Sequence, residues 1–369
     1  MIPVFRPLIT KQNIKSVLST LQRGEISGNF GLAIKQFETN FAKYIGCKYA
    51  STTSSGTTAL HLALLGLGIK PGDEVILPNI TFAATINSVL YIGAKPVLVD
   101  IEKESWNLNS SLIEEKITDK TKAIIVVHLY GYPCEMNTIN KIAKNNNLLV
   151  IEDCAEALGS RYENLPVGLF GDAATFSFFG NKTITTGEGG MVVFKDDSVA
   201  IIARQLRDHG MSKEKRYWQE VVGFNYRLTN LQAAVGVAQM ERLDFFVQKK
   251  RDISKKYNDV LKSIDYLILP KDCNEFYNSF WLYTFFIKPN PKFNRDSLIK
   301  FLGDKGVEAR RVFYPLNQMP PYIDYSDKEP YEVSNFFSEN GLSLSTSYSL
   351  SDNDIEYICS SIDLYFKTL

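Results

Sequence analysis

The chain has 369 residues, 45% hydrophobic and 22% charged, enough to bury a sizeable core and to make about two domains. Lysine plus arginine and aspartate plus glutamate both total 41, so the formal charge is zero and no global field argues for a nucleic-acid or membrane partner. The five cysteines, Cys47, Cys134, Cys154, Cys273 and Cys359, form no Cys-x-x-Cys pair and suggest neither zinc nor a disulfide framework.

The opening "MIPVFRPLIT" lacks a basic segment followed by a long apolar run, and no stretch of about 18 apolar residues occurs, so a cytoplasmic protein with reduced thiols is expected. From about residue 47 to 200, short apolar runs alternate with helical patterns. The strands are predicted at "EVILP", "KPVLVD", "KAIIVVHLYG", "LLVIED", "AATFSFFG" and "GGMVVF". Helices are predicted at "SGTTALHLALLGLG", "TFAATINSVLYIG" and "EMNTINKIAKNNN". Near-continuous apolar strands separated by helices imply a mostly parallel sheet covered on both faces. Leu60, Ala63, Leu64 and Leu67 form a buried helical stripe.

After the Thr/Asn cap in "YRLTN", one long helix is predicted over about 230–262, with Val237, Met240, Leu243 and Val247 on one face. It is expected to link two domains. The remainder, "YLILP", "FWLYTFFIKP", "RDSLIKFLGDKG", "VEARRVFYP" and "DNDIEYICSSIDLYF", reads as a smaller α+β domain.

Ligands of open α/β sheets bind outside the carboxyl ends of the strands, and three features fall there. "STTSSGTTALHLAL" runs from a strand through Ser54, Ser55, Gly56, Thr57 and Thr58 into a helix, offering amides, hydroxyls and a favourable dipole to a phosphate. It is neither a Walker motif nor Gly-x-Gly-x-x-Gly, and alone it is equally an ordinary Ser/Thr cap. "LLVIED" ends in Glu152 and Asp153, where a carboxylate could hold Mg²⁺, a ribose or a protonated ring nitrogen, or simply face solvent. Lys182, in "TFSFFGNKTITTGEGG", follows Asp153 by 29 positions and ends a later strand.

An isolated lysine there would usually just begin a surface loop. Together, a phosphate anchor, a carboxylate and a lysine beside aromatic walls meet the needs of pyridoxal phosphate. Lys182 would bond the aldehyde, and Asp153 would keep the pyridine nitrogen protonated. Displaced by substrate, Lys182 would then move a proton as a base, which requires a neutral amine. Desolvation by Phe178 and Phe179 is expected to lower its pKa. Of the histidines, His61 is expected to pack within a helix, His128 to approach the site from a strand end, and His209 to mark a helix terminus. None is assigned to catalysis.

"SGTTALHLAL", "PNITFAAT", "HLYGYPCEMN", "IEDCAEALGS", "FSFFGNKTITTGEGG" and "GFNYRLTNLQAAVG" together resemble, in order, the motifs of the DegT/DnrJ/EryC1/StrS sugar aminotransferases. The resemblance covers essentially the whole chain. It implies a fold-type-I pyridoxal phosphate enzyme, α/β, with a large cofactor-binding domain over 1–245 and a small C-terminal α+β domain over 246–369. Lys182 would be the Schiff-base lysine and Asp153 the partner of the pyridine nitrogen. The resemblance places Gly56, Thr57 and Ser177 at the cofactor phosphate, Phe82 on the ring and Glu156 near the phenolic oxygen. Asn225 would reach the neighbouring subunit's phosphate, in a homodimer with shared sites. Glu188 and Arg310 would line the sugar-nucleotide cleft.

The activity implied is transfer of an amino group from glutamate to the 4-keto carbon of a nucleotide-linked 4-keto-6-deoxysugar. Within the family, "SFFGNKTITTGEGGMV" and "VFYP" are most similar to members acting on GDP-4-keto-6-deoxymannose for surface polysaccharide (O-antigen) synthesis. A dTDP- or UDP-linked keto-sugar is the alternative substrate. One class of relatives replaces the lysine with histidine and dehydrates its sugar, so Lys182 favours transamination. A non-catalytic cofactor-binding regulator is the reading from another class. Asn317, in "YPLNQMP", departs from the histidine of many members.

Overall fold

The computed structural model describes residues 1–28, 31–326 and 330–368. Helices α1 (Lys11–Gln22) and α2 (Ala33–Ile45) lead into a seven-stranded sheet. Its strands are β1 (Ala50–Thr53), β2 (Glu74–Pro78), β3 (Lys95–Val99), β4 (Thr121–Val127), β5 (Leu149–Asp153), and, after a short hairpin of β6 (Arg161–Tyr162) and β7 (Leu165–Pro166), β8 (Ala173–Ser177) and β9 (Gly190–Phe194). The spatial order is β1-β9-β8-β5-β4-β2-β3, and only β9 runs antiparallel to its neighbours. The predicted mostly parallel sheet therefore forms.

The strand residues alternate between two packed faces, as a period of two requires. Val75, Leu77, Ile125 and Ile151 meet α3 (Gly56–Gly66) and α4 (Ala83–Tyr91) on one face. Ile76, Ile124, Val126 and Val150 meet α5 (Met136–Asn145) on the other. Helix α3 is buried nearly all round, beyond the predicted stripe: Leu62 and His61 are also inside, and Leu67 is only half-buried. A further helix, α6 (Asp197–Arg207), covers the sheet near β9.

The single helix expected over 230–262 is two, α7 (Asn230–Met240) and α8 (Leu243–Leu261). The chain leaves helical geometry at Arg242 (φ −119°, ψ 9°). The apolar period continues across the break because Val237 of α7 and Leu243 and Val247 of α8 enter the same core. Helix α7 packs on α1 and α2, so closely that a Cβ on Gly236 would lie 2.7 Å from the Phe37 ring. Further along, α8 places Ile253, Tyr257 and Leu261 in a second core.

That second core lies on a four-stranded antiparallel sheet, order β10-β12-β14-β13. Its strands are β10 (Leu267–Ile268), β12 (Tyr283–Ile287), β13 (Arg310–Arg311) and β14 (Gly341–Leu344), while β11 (Phe276–Tyr277) pairs with the β6–β7 hairpin. Helices α9 (Arg295–Asp304), α10 (Glu332–Asn340) and α11 (Asp352–Lys367) complete this part. The expected boundary at 245/246 falls inside α8, and the N-terminus also joins this part: the Ile2 amide donates to Gly306 O at 2.7 Å.

Candidate active site

The carboxyl ends of β1, β2, β4, β5 and β8 converge on one cleft of about 380 Å³. Gly56, Thr57, Phe82, Asp153, Glu156, Ser177, Lys182, Glu188 and Arg310 all line it. Positions spread over more than 250 residues of sequence thus share one wall.

At the end of β1, Ser55 caps α3 and forms a capping box with Thr58. The next two amides, Gly56 and Thr57, donate to no protein acceptor among the described residues. Such amides at a helix N-terminus suit an anion. Ser177, at the end of β8, closes this cradle. A Cβ on Gly56 would lie 2.9 Å from Ser177 Cβ, closer than real contacts allow, so glycine is required for the approach.

Asp153 ends β5 with its carboxylate almost wholly buried. Thr85 Oγ1 donates to Oδ2 at 2.8 Å and the Ala155 amide to Oδ1 at 3.1 Å. Burial raises the Asp153 pKa, opposed by these two donors and by Lys182. A positive group at its open face would favour the ionised form further.

Lys182 sits where the chain returns from β8 towards β9. Its amide donates to Phe179 O at 2.9 Å, and Trp281 Nε1 donates to Asn181 O at 2.8 Å. The Tyr348 hydroxyl donates to Thr183 O. The Lys182 amine lies 3.8 Å from Glu156 Oε1 and 3.8 Å from the centre of the Trp281 ring. Burial lowers its pKa, while Glu156 and Asp153 oppose the shift. Glu156 is buried as well, which pushes its pKa up to about 7 against the pull of Lys182 and the Tyr130 amide. Burial thus favours the neutral form of both groups, and Glu156 stands beside the Lys182 amine as its nearest acid.

The desolvating wall is not the one expected. Phe178 is fully buried against Phe37 and Phe41, away from the cleft, because β8 alternates: Phe176 and Phe178 point into the core, Ser177 and Phe179 towards the site. Trp281 takes the role given to Phe178. It stacks on Tyr130 (5.8 Å, 13°), which stacks in turn on Phe313 (5.4 Å, 16°). Sequence reasoning missed Trp281, Tyr130, Phe313 and Thr85; only Thr85, one turn after Phe82 in "TFAAT", carried a local signal.

Other expected residues are placed as follows. Asn225 is exposed and does not line its own chain's cleft. Arg310 pairs with Glu308 at 2.9 Å, and Arg311 beside it also lines the cleft. Asn317 is clasped by Asn79, each side chain bonding the other residue at 2.9–3.0 Å, and does not reach the cleft. His61 packs in α3 against Phe224 and Tyr226. His128 lies behind the site: its Nδ1 accepts from the Cys134 amide, so its ring proton is on Nε2, facing Glu152 at 3.0 Å. Glu152 also accepts from the amides of Gly168, Phe170 and Gly171, which leaves no open position for a metal between them.

A helix N-terminus for a phosphate, a buried carboxylate and a desolvated lysine at the edge of this sheet suit pyridoxal phosphate held as in fold-type-I enzymes. The DegT/DnrJ/EryC1/StrS aminotransferase family model matches residues 7–363, and the chain belongs to that family. It is 44% identical to GDP-perosamine synthase of Escherichia coli O157:H7, covering 99% of both chains. It is 40% identical to GDP-perosamine synthase of Vibrio cholerae over the full length of both. The solved structure of E. coli GDP-4-keto-6-deoxy-D-mannose-3-dehydratase with bound hydrated PLP superposes with a TM-score of 0.92 at 27% identity, covering 98% of this chain and 99% of that one.

Proposed function

We propose that this aminotransferase moves the amino group of glutamate to C4 of GDP-4-keto-6-deoxymannose, giving GDP-perosamine for surface polysaccharide, the O-antigen of lipopolysaccharide. The observation that carries this reading is full-length identity to two GDP-perosamine synthases combined with a lysine at position 182. The lysine favours amino transfer over the dehydration named for the structural relative.

Pyridoxal phosphate, when bound, supplies an electron-withdrawing ring that stabilises charge on a carbon losing its proton. The Gly56 and Thr57 amides and the Ser177 hydroxyl would hold its phosphate, and Phe82 would cover the ring. Asp153, oriented by Thr85 and Ala155, would keep a proton on the ring nitrogen. Lys182 would anchor the cofactor and would move a proton at the substrate carbon; Glu156 is its nearest acid. Trp281, Tyr130 and Phe313 exclude water on one side. Glu188 and Arg310 would face the sugar nucleotide, where Arg310 suits a diphosphate.

The assembly proposed is a cytoplasmic homodimer with shared sites and no membrane partner, each chain comprising domains 1–245 and 246–369. Asn225 is exposed and does not line its own cleft, in keeping with a role in the neighbour's. So is the projecting 212–224 segment, where Tyr217, Trp218 and Val222 leave large apolar surface exposed. All five cysteines are free, in keeping with a reducing compartment. No helix among the described residues is long and apolar enough to cross a membrane.

Mass spectrometry of products from GDP-, dTDP- and UDP-linked 4-keto-6-deoxysugars with glutamate tests the assignment. The GDP sugar should gain an amino group with kcat/KM at least about a hundredfold above the others, the discrimination expected when a site's polar groups lose their base partners. Equal rates on a dTDP sugar, or a deoxygenated product without nitrogen, would overturn it.

A further inference from the structure

Helix α8 carries a fully buried lysine, Lys250, far from solvent and outside the cleft. No carboxylate pairs with it among the described residues. Its amine donates to Trp281 O at 3.0 Å and to Thr346 Oγ1 at 2.9 Å, and lies 5.2 Å from the Tyr348 ring centre. Burying an amine without a counter-charge is costly, and a methionine would fill the same space without that cost. What the amine fixes in return is the backbone of Trp281.

The next residue acts on the same segment. Arg251 donates to Asn278 O at 2.7 Å and is bidentate to Asp272 at 2.8–3.0 Å. Between these two anchors, Phe280 adopts φ +50°, a left-handed conformation that a bulky residue holds only when its surroundings enforce it. The Asn278 side chain reinforces it, accepting the Phe280 amide at 2.7 Å.

We propose that Lys250 and Arg251 are positioning residues for Lys182: from α8 they clamp the turn 278–281 and so hold the Trp281 indole over the Lys182 amine. Burial pushes the Lys250 ammonium down to about 7, but both protonation states keep enough N–H groups for the two acceptors, so the clamp persists across neutral pH. This inference rests on reading Lys182 as the cofactor lysine.

Lys250→Met should fold, because Trp281 O keeps the Thr346 hydroxyl at 2.8 Å. Arg251→Met, at a partly exposed site, is the second variant. Protein loaded with pyridoxamine phosphate leaves the Lys182 amine free, so cyanate can label it and peptide mass can give the rate without any sugar substrate. Lys250→Met should change Lys182 labelling at least about threefold and lower kcat about tenfold or more, with smaller change in KM, as a displaced catalytic group does. In a Trp281→Ala background the same change should have under about twofold effect, since coupled residues are non-additive. A purely structural lysine would give the same effect in both backgrounds, and that result would overturn the proposal, as would unchanged labelling in both methionine variants. A wild-type protein that aminates no sugar would refute the enzymatic reading and leave the labelling arm to decide the clamp.

Discussion

Lys182→Ala should lose amino transfer by at least about a thousandfold, because it removes both the cofactor's anchor and the base that moves the proton. The variant should still fold. The side chain makes one long ion pair with Glu156 and one contact with the Trp281 ring, whereas the turn's backbone is held by donation from Trp281 Nε1 to Asn181 O and from the Tyr348 hydroxyl to Thr183 O, and by the Lys182 amide's bond to Phe179 O. Removing the amine also leaves Glu156 without its cation, which should raise that carboxyl further. Turnover within a factor of about ten of wild type would contradict the role, since acid–base catalysis alone contributes about 10²–10⁴. The same variant probes the shared site. Asn225→Asp would set a negative charge against the neighbour's phosphate, and refolding it with an equal amount of Lys182→Ala makes about half the dimers mixed, each with one intact site in two. Roughly a quarter of wild-type activity should return. A mixture no better than its parents, with mixed dimers confirmed by mass, would place Asn225 within its own chain's function.

Asp153→Asn should keep the fold and lose at least about a hundredfold in kcat. Two donors converge on separate oxygens of Asp153, Thr85 Oγ1 and the Ala155 amide. The amide of asparagine retains one oxygen for Ala155, and the Thr85 hydroxyl can turn to accept from the new NH₂, so the buried site remains satisfied. What asparagine cannot supply is the negative charge that keeps the ring nitrogen protonated. Loss of an ionised partner in a buried site costs several kcal/mol, and each 1.36 kcal/mol is about tenfold in rate. Activity within about threefold of wild type would amount to less than roughly 1 kcal/mol, too little for this role.

The sheet and much of the cleft's lining were legible because each strand and each strand end carries its own local pattern. Apolar strands punctuated by helices read directly as a parallel sheet, and Gly56, Asp153 and Lys182 each stand at a strand end where ligands bind. The break at Arg242 was not legible. The apolar spacing from Val237 to Val247 runs through it unbroken because these residues enter one core, and only the backbone turn at Arg242 separates two helices. Trp281 was invisible for a related reason. It lies 99 positions beyond Lys182 and reaches it through a left-handed turn held from α8, none of which has a periodic signature. The orientation of Phe178 could have been read, since alternation along "TFSFF" puts Phe176 and Phe178 on the face opposite Ser177 and Phe179. Asn225 was singled out by resemblance alone, and its own chain's cleft gives it no contact.

Among the described residues Lys182 lines the cleft, mostly buried, and Lys250 lies fully buried behind it, and burial lowers the pKa of both. Reduction of the loaded protein with borohydride, followed by proteolysis and peptide mass, reads directly which amine carries the cofactor. The cofactor mass should fall on the peptide containing Lys182, in a fraction that matches the visible absorbance lost on reduction. Its appearance on Lys250 or any other lysine, or absence from every peptide of a protein that still aminates the sugar, would contradict the account.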